Sequence, residues 1–253
     1  MLPALVGCSG TRKDVLVQPA TLRAPQYPGM AGRTPVWAVA PLRNESGVSV
    51  VDSLTVTDQL ARQVHSVEGL DVIPVNRTIA AMRALRMEDI YSPADARRLA
   101  EALGADAIIV GTMTAWDPYD PPKIGLSLAL FAQDGSPMVR AARAPLATPS
   151  SDTPETFALE TSGRDMTIGG SEFSDEPIAT ASEHLDGANH GVQMLVKNYA
   201  SGRHETVSAL GWRRYLASMP LYTDFASYRL VGRLLEAEQR RVGGPIAQAE
   251  EKN

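Results

Sequence analysis

The sequence predicts an α/β (α+β) fold, a mixed parallel and antiparallel sheet with flanking helices and a helical C-terminal extension. Three observations predict it. Two short apolar runs, at 36–42 and 70–75, are separated by a helical apolar period, which is the pattern of a strand–helix–strand unit. A helix with capping residues at both ends, 92–104, leads directly into a long buried run at 105–113. Finally, 123–131 alternates strictly and is followed by the turn pair Asp134-Gly135, so the last strands pair antiparallel.

Each element has its own local reason. Val36, Trp37 and Val39 supply the β-branched and aromatic residues of a buried strand, which the turn formers Asn44, Glu45, Ser46 and Gly47 close. Val56, Leu60, Val64 and Val67 then recur at steps of four, four and three on one helical face, and Gly69 stops that helix. Pro74 cannot donate to a ladder, so the second strand belongs at an edge or ends there. Ile79, Met82 and Leu85 mark a short helix. In the next, Ser92 caps, Pro93 takes the first helical position, Asp95 is the reciprocal capping acid and Gly104 closes. Ile124, Leu126, Leu128 and Leu130 share one face of the following strand, and a further strand is expected at 138–146.

The C-terminal half reads differently. Residues 147–176 are rich in Ser, Thr, Gly and acids with little periodicity, and are expected to form a flexible insertion. Ile178, Ala181, Leu185, Ala188, Val192, Leu195 and Tyr199 repeat at three and four, predicting one helix with Gly187 and Gly191 inside it. Two more helices, about 204–219 and 222–241, are expected on either side of Pro220. Their Arg213, Arg214, Arg229, Arg233, Arg240 and Arg241 fit a solvated helix face.

Composition and motifs narrow the function. A chain of 253 residues with 44% apolar content supports one substantial core, and a net charge of −5 argues against a nucleic-acid binder. The four histidines, at 65, 184, 190 and 204, do not offer the i, i+4 helical pair of a zinc site, because His184 and His190 are six apart. Neither a nucleophile elbow nor a phosphate-binding loop occurs. No catalytic residue, metal or cofactor is therefore expected; a metal- or carboxylate-dependent hydrolase and a ligand-binding sensor are the competing readings. The most unusual short segment is 116–122, where Trp116, Asp117, Tyr119 and Asp120 sit on a proline-stiffened connection. A rigid aromatic tip suits protein binding, because little entropy is lost on docking. Equally, its aromatics could cover the core edge.

Two resemblances follow from particular residues. The stretch 39–47, with Leu42, Asn44 and Ser46, precedes an amphipathic helix; later, Ala105-Asp106, four apolar residues and Gly111 follow the capped helix. This pattern resembles the amino-terminal domain of the TolB translocation protein and is similar to the periplasmic domains of the curli-secretion lipoprotein and of LpoB-type activators of penicillin-binding proteins. The resemblance covers about 100 residues, leaves out the C-terminal helices, and implies a non-catalytic envelope module that docks other proteins. Arg43 and Asn44 in the motif thus join Trp116 and Tyr119 as candidate protein-binding residues. Pore formation is not expected, since 147–176 is too polar and irregular to line lipid.

The chain has one cysteine, Cys8, directly behind Leu5-Val6-Gly7. This resembles the lipobox of bacterial lipoproteins, which implies cleavage before Cys8 and lipidation of its thiol. Ser9 behind it is, by the same resemblance, an outer-membrane sorting signal. Only seven residues precede Cys8, fewer than a full signal peptide needs, so a start upstream of Met1 is expected. The organisation expected is a residual signal peptide at 1–7, a lipid-anchored flexible tether at 8–34, the α/β domain at 35–146, the insertion at 147–176 and the helical extension at 177–253. The location expected is the periplasmic face of the outer membrane. The membrane, held through the lipid, and envelope proteins are the expected partners, nucleic acid is not, and a second copy of the chain is a further candidate.

Overall fold

The computed structural model describes residues 26–27, 33–133, 176–201, 203 and 209–242. Cys8, the expected strand at 138–146 and the insertion at 147–175 lie outside the described residues. The order is β1 (Val36–Val39), β2 (Arg43–Asn44), α1 (Ser53–His65), β3 (Asp71–Ile73), α2 (Val75–Ala84), α3 (Pro93–Leu103), β4 (Ala107–Asp117), β5 (Lys123–Ala132), β6 (Ala179–Asp186), α4 (His190–Ala200), α5 (Arg214–Ala217) and α6 (Met219–Val242). The sheet runs β3-β1-β4-β5-β6, with β2 pairing with β4 beyond the end of β1. β3, β1, β2 and β4 are parallel, whereas β4, β5 and β6 form an antiparallel meander. The fold is thus the mixed α/β sheet that the sequence predicts.

Alternation along the strands feeds two cores. Trp37, Val39, Ile109, Met113, Ile124, Leu126, Leu128 and Leu130 face α1 and α6 in the larger one. Ala38, Ala40 and Ile108 face α2 and α3 in the smaller. The α3 caps act as expected: Ser92 Oγ accepts from the Asp95 N–H, Asp95 answers on the Ser92 N–H, and Gly104 is left-handed at φ 66°. The motif residues prove architectural. Asp106 is buried, accepts from the Val36 N–H at 2.8 Å and pairs with Arg33, tying the start of β1 to β4. At Gly111, a Cβ would stand 2.5 Å from both Leu42 and Leu128 side chains, so any larger residue would force these packed side chains to shift. No described helix is long and apolar enough to cross a membrane.

Three expectations are corrected. The helix predicted over 178–199 is strand β6, a turn and helix α4. Ala179, Ala181 and Leu185 do alternate inward, but Glu183 occupies the remaining inward position, which hides the period of two and leaves the helical spacing visible. Gly187 lies in the turn, and Asn189 caps α4 by accepting from the Gly191 and Val192 N–H groups. Pro220 does not divide two helices, because it falls in the first turn of α6, where a missing N–H costs nothing. Finally, the body reaches back beyond Pro35. Tyr27 is 8% exposed and packs edge-on against Trp37 with ring centroids 5.3 Å apart. Its N–H donates to the Glu68 carbonyl at 2.9 Å, and its hydroxyl donates to Glu238, which Arg241 grips at 2.6 and 2.7 Å.

Candidate docking rim

The sequence candidates converge on one end of the sheet. Arg43 and Asn44 pair with Thr112 and Met113 of β4, and the same strand carries on to Trp116 and the 118–122 connection. This rim lies beyond the C-terminal ends of the parallel strands, where α/β sheets place their binding surfaces.

Local chemistry gives each candidate a different part. The Arg43 guanidinium donates Nη2 to the Ile90 carbonyl at 2.9 Å, pairs with Asp89 at 3.1 Å and Glu45 at 3.3 Å, and stands 5.6 Å from the Tyr91 ring centroid. The Nη2 bond and the Asp89 ion pair thus hold β2 to the segment before α3, although Nε finds no hydrogen-bond partner among the described residues. Asn44 closes the loop that follows it: Oδ1 accepts from the Ser46 N–H and hydroxyl, and Nδ2 donates to the Val48 carbonyl. Both residues organise the rim.

Trp116 and Tyr119 separate in the opposite way. A bulge between Met113 and Ala115 shifts the register by one residue, so Trp116 stands opposite Ile124 and packs on the larger core. Without it, the period of two would turn Trp116 to the other face. Tyr119 is 80% exposed, with its N–H donating to the Asp117 carboxylate at 3.2 Å. Of the two aromatics, one seals the core edge and one is free to contact a partner.

Sequence reasoning missed Tyr91, 74% exposed, and Val50, 85% exposed, in the loop before α1. Tyr91 was detectable as the aromatic directly before the Ser92 cap, a position that can fold back on the helix yet here faces water. Beside it a groove of about 220 Å³ runs between the start of α3 and β4–β5, lined by Ile90, Tyr91, Val110, Thr112, Ala129 and Phe131 among others.

One ion pair joins the strands at the rim. Lys123 and Asp186 are cross-strand partners 3.3 Å apart. The Ala188 N–H and Lys123 hold the Asp186 carboxyl below its usual range. Hydrogen bonds from Thr55 and Leu54 do the same for Asp52, the cap of α1. His65, His184 and His190 are all exposed, and no metal-binding cluster of three or more His, Cys, Asp or Glu occurs among the described residues. Of the α6 arginines, Arg233 and Arg240 are exposed on the solvated face expected, whereas Arg229 is half-buried against Glu183 and Arg241 is paired with buried Glu238.

No family model matches the chain, and no curated protein aligns with it. Among solved structures, it is similar to lipoprotein GNA1162 from Neisseria meningitidis, at 15% identity over 65% of this chain and 94% of that one, with a TM-score of 0.37. It is similar to the LpoB C-terminal domain from Salmonella enterica, at 16% identity over 39% of this chain and 73% of that one, with a TM-score of 0.32. The PelC dodecamer from Paraburkholderia phytofirmans is similar at 15% identity over 43% of this chain and 67% of that one, with a TM-score of 0.28. LpoB is also one of the proteins that the motifs at 39–47 and 105–111 resemble.

Proposed function

We propose that this chain is a non-catalytic lipoprotein of the bacterial envelope, anchored through Cys8 at the periplasmic face of the outer membrane, which presents its sheet rim to a protein partner. The observation that carries the reading is the polarity of the body. Tyr27, the point where the N-terminal segment is gripped, lies at the Trp37 end of the sheet. Trp37 is level with Ala107, and β4 runs ten residues further to Asp117 at the rim, about 33 Å at 3.3 Å per residue. The gripped residue Tyr27 and the rim therefore lie at opposite ends of the sheet, and a body held at one end offers the other to a partner.

Anchorage is expected to need two acyl signals, since one chain binds a bilayer marginally and the multiply acylated Cys of a lipoprotein binds firmly. The grip at Gln26 and Tyr27 leaves residues 9–25 to supply the reach, about 20–25 Å for a coil of that length. Exposed Tyr91, Val50 and Tyr119 provide the contact surface, on a frame stiffened by Arg43 and Asn44.

Two substitutions test the reading separately. Cys8→Ser is expected to move the protein from membrane to soluble fractions, and continued membrane association would refute the lipid anchor. In the anchored protein, Tyr91→Glu with Tyr119→Glu is expected to abolish photocrosslinks formed from position 50. Undiminished crosslinking would remove the rim from the proposal.

A further inference from the structure

A second surface lies away from the rim. A groove of about 490 Å³ runs between α4 and α6, with Leu195 and Tyr199 on one wall and Phe225, Tyr228 and Leu235 on the other. Its volume falls within the range of about 300–1,000 Å³ typical of ligand clefts. Gln26 bounds it, held through its carbonyl by Gln239 at 3.2 Å.

Charge is concentrated along this groove. Three guanidiniums, Arg203, Arg229 and Arg233, stand against two carboxylates, Glu183 and Glu236. Glu183 accepts from both Arg229 at 2.8 Å and Arg233 at 3.0 Å, so a single carboxylate serves two cations. Arg203 has no carboxylate partner among the described residues. Instead its guanidinium lies 4.3 Å from the Tyr199 ring centroid and 5.0 Å from that of Tyr228, and Nη1 donates to the Tyr199 carbonyl at 2.7 Å. That leaves Nε and Nη2, a ready fork for a carboxylate, on a side chain whose rotamer is already set. Burial pushes the Tyr199 hydroxyl up to about 12, so it stays neutral and opposes no anion.

Gly232 adds an independent observation. It lies inside α6, where glycine costs about 1 kcal/mol relative to alanine. A Cβ there would meet nothing within 4 Å, and its φ is not left-handed, so neither packing nor backbone geometry requires glycine. What the missing side chain does provide is bare helix backbone on the groove floor, open to close approach.

We infer that the α4–α6 groove docks an extended acidic peptide segment of a partner protein, its carboxylate on the Arg203 fork and an adjacent apolar side chain over Gly232 between Leu195 and Tyr228. Charge complementarity selects that occupant: a net positive groove on a chain of net charge −5. Two tyrosines and three arginines line it, the residue types favoured at binding hot spots.

The test pans a displayed random dodecapeptide library on the full chain and measures the fluorescein-labelled winner by anisotropy. Enrichment of Asp or Glu beside an apolar residue is expected. Affinity is expected to fall about tenfold or more in Gly232→Trp and in Arg203→Gln, less in Arg203→Lys, and to weaken with salt. Gly232→Leu serves if the tryptophan variant does not fold. Failure to enrich any peptide, winners without acids, or undiminished binding to the filled groove would overturn the inference. So would displacement by inorganic phosphate alone, which would mark a small-anion site, or a concentration-dependent dimer that Gly232→Trp abolishes, which would give the groove to a second copy.

Discussion

The two ends of the sheet use the same residue types for opposite purposes. At the tether end, Tyr27, Glu238 and Arg241 are turned inward and bond to one another, and the Trp37 indole packs edge-on against Tyr27 with its own N–H left without a hydrogen-bond partner among the described residues. At the rim, Tyr91 and Tyr119 face water, and the arginine beside them is spent on holding backbone. An aromatic or an ion pair thus says little about role until its burial is known. The difference also divides the labour: one end resists change and the other is free to meet a partner.

The contrast can be broken most forcefully at Trp37. Trp37→Ala removes a fully buried indole and is expected to cost about 3–5 kcal/mol, measured by urea unfolding. A loss below 1 kcal/mol would mean that the tether end is not the tightly packed one.

Gly69→Ala attacks the same end through the backbone. Gly69 has φ 83°, and a Cβ there would stand 2.7 Å from the Tyr27 carbonyl oxygen. The conformation alone costs about 1–3 kcal/mol for a residue with a side chain, and the clash adds the loss of Tyr27 from its seat. A red shift of tryptophan emission, absent from the same substitution at open Gly47, would report that displacement.

Alkaline pH sharpens the comparison more gently. Burial raises the hydroxyl of Tyr199 from 10.0 to about 12, and that of Tyr27 further still, with Glu238 adding to the effect. The unfolded chain releases these protons near pH 10, while the folded one holds them. The stabilisation is therefore complete below pH 10 and is lost as pH climbs from 10 toward 12. Unfolding midpoints measured across that window are expected to fall, with phenolate absorbance rising in step.

The smallest effect belongs to the rim. Tyr119→Ser is expected to change stability by less than about 0.5 kcal/mol, because the ring is 80% exposed, while weakening partner capture. A loss of several kcal/mol would assign Tyr119 to the fold instead.

Much of this was legible where the chain acts locally. The α3 caps, the single apolar face of α1 and the inward row of β5 are all visible as spacing, because short-range geometry alone places those residues. Legibility failed where a distant partner decides. Glu183 hides β6, since a carboxylate on an inward position makes sense only once Arg229 and Arg233 of α6 lie across it. Trp116 could not be assigned to a face, because the bulge at Thr114 is set by pairing with β5 around Gly125. Of the candidate rim residues, Asn44 could be read from its turn chemistry, whereas the exposure of Tyr91 could not be distinguished from a buried staple.

By itself, then, the amino-acid order determined the class of fold, the parallel unit from β1 to β4 and the polar, proline-marked turns between elements, because these depend on periodicity and capping within a few residues. Tertiary structure alone decided that Tyr27 is gripped, that Asp106 fastens β1 to β4, and that α4 and α6 enclose an arginine-lined groove. Those outcomes rest on contacts between residues as much as 213 positions apart, and such long-range pairings follow from packing rather than from local spacing.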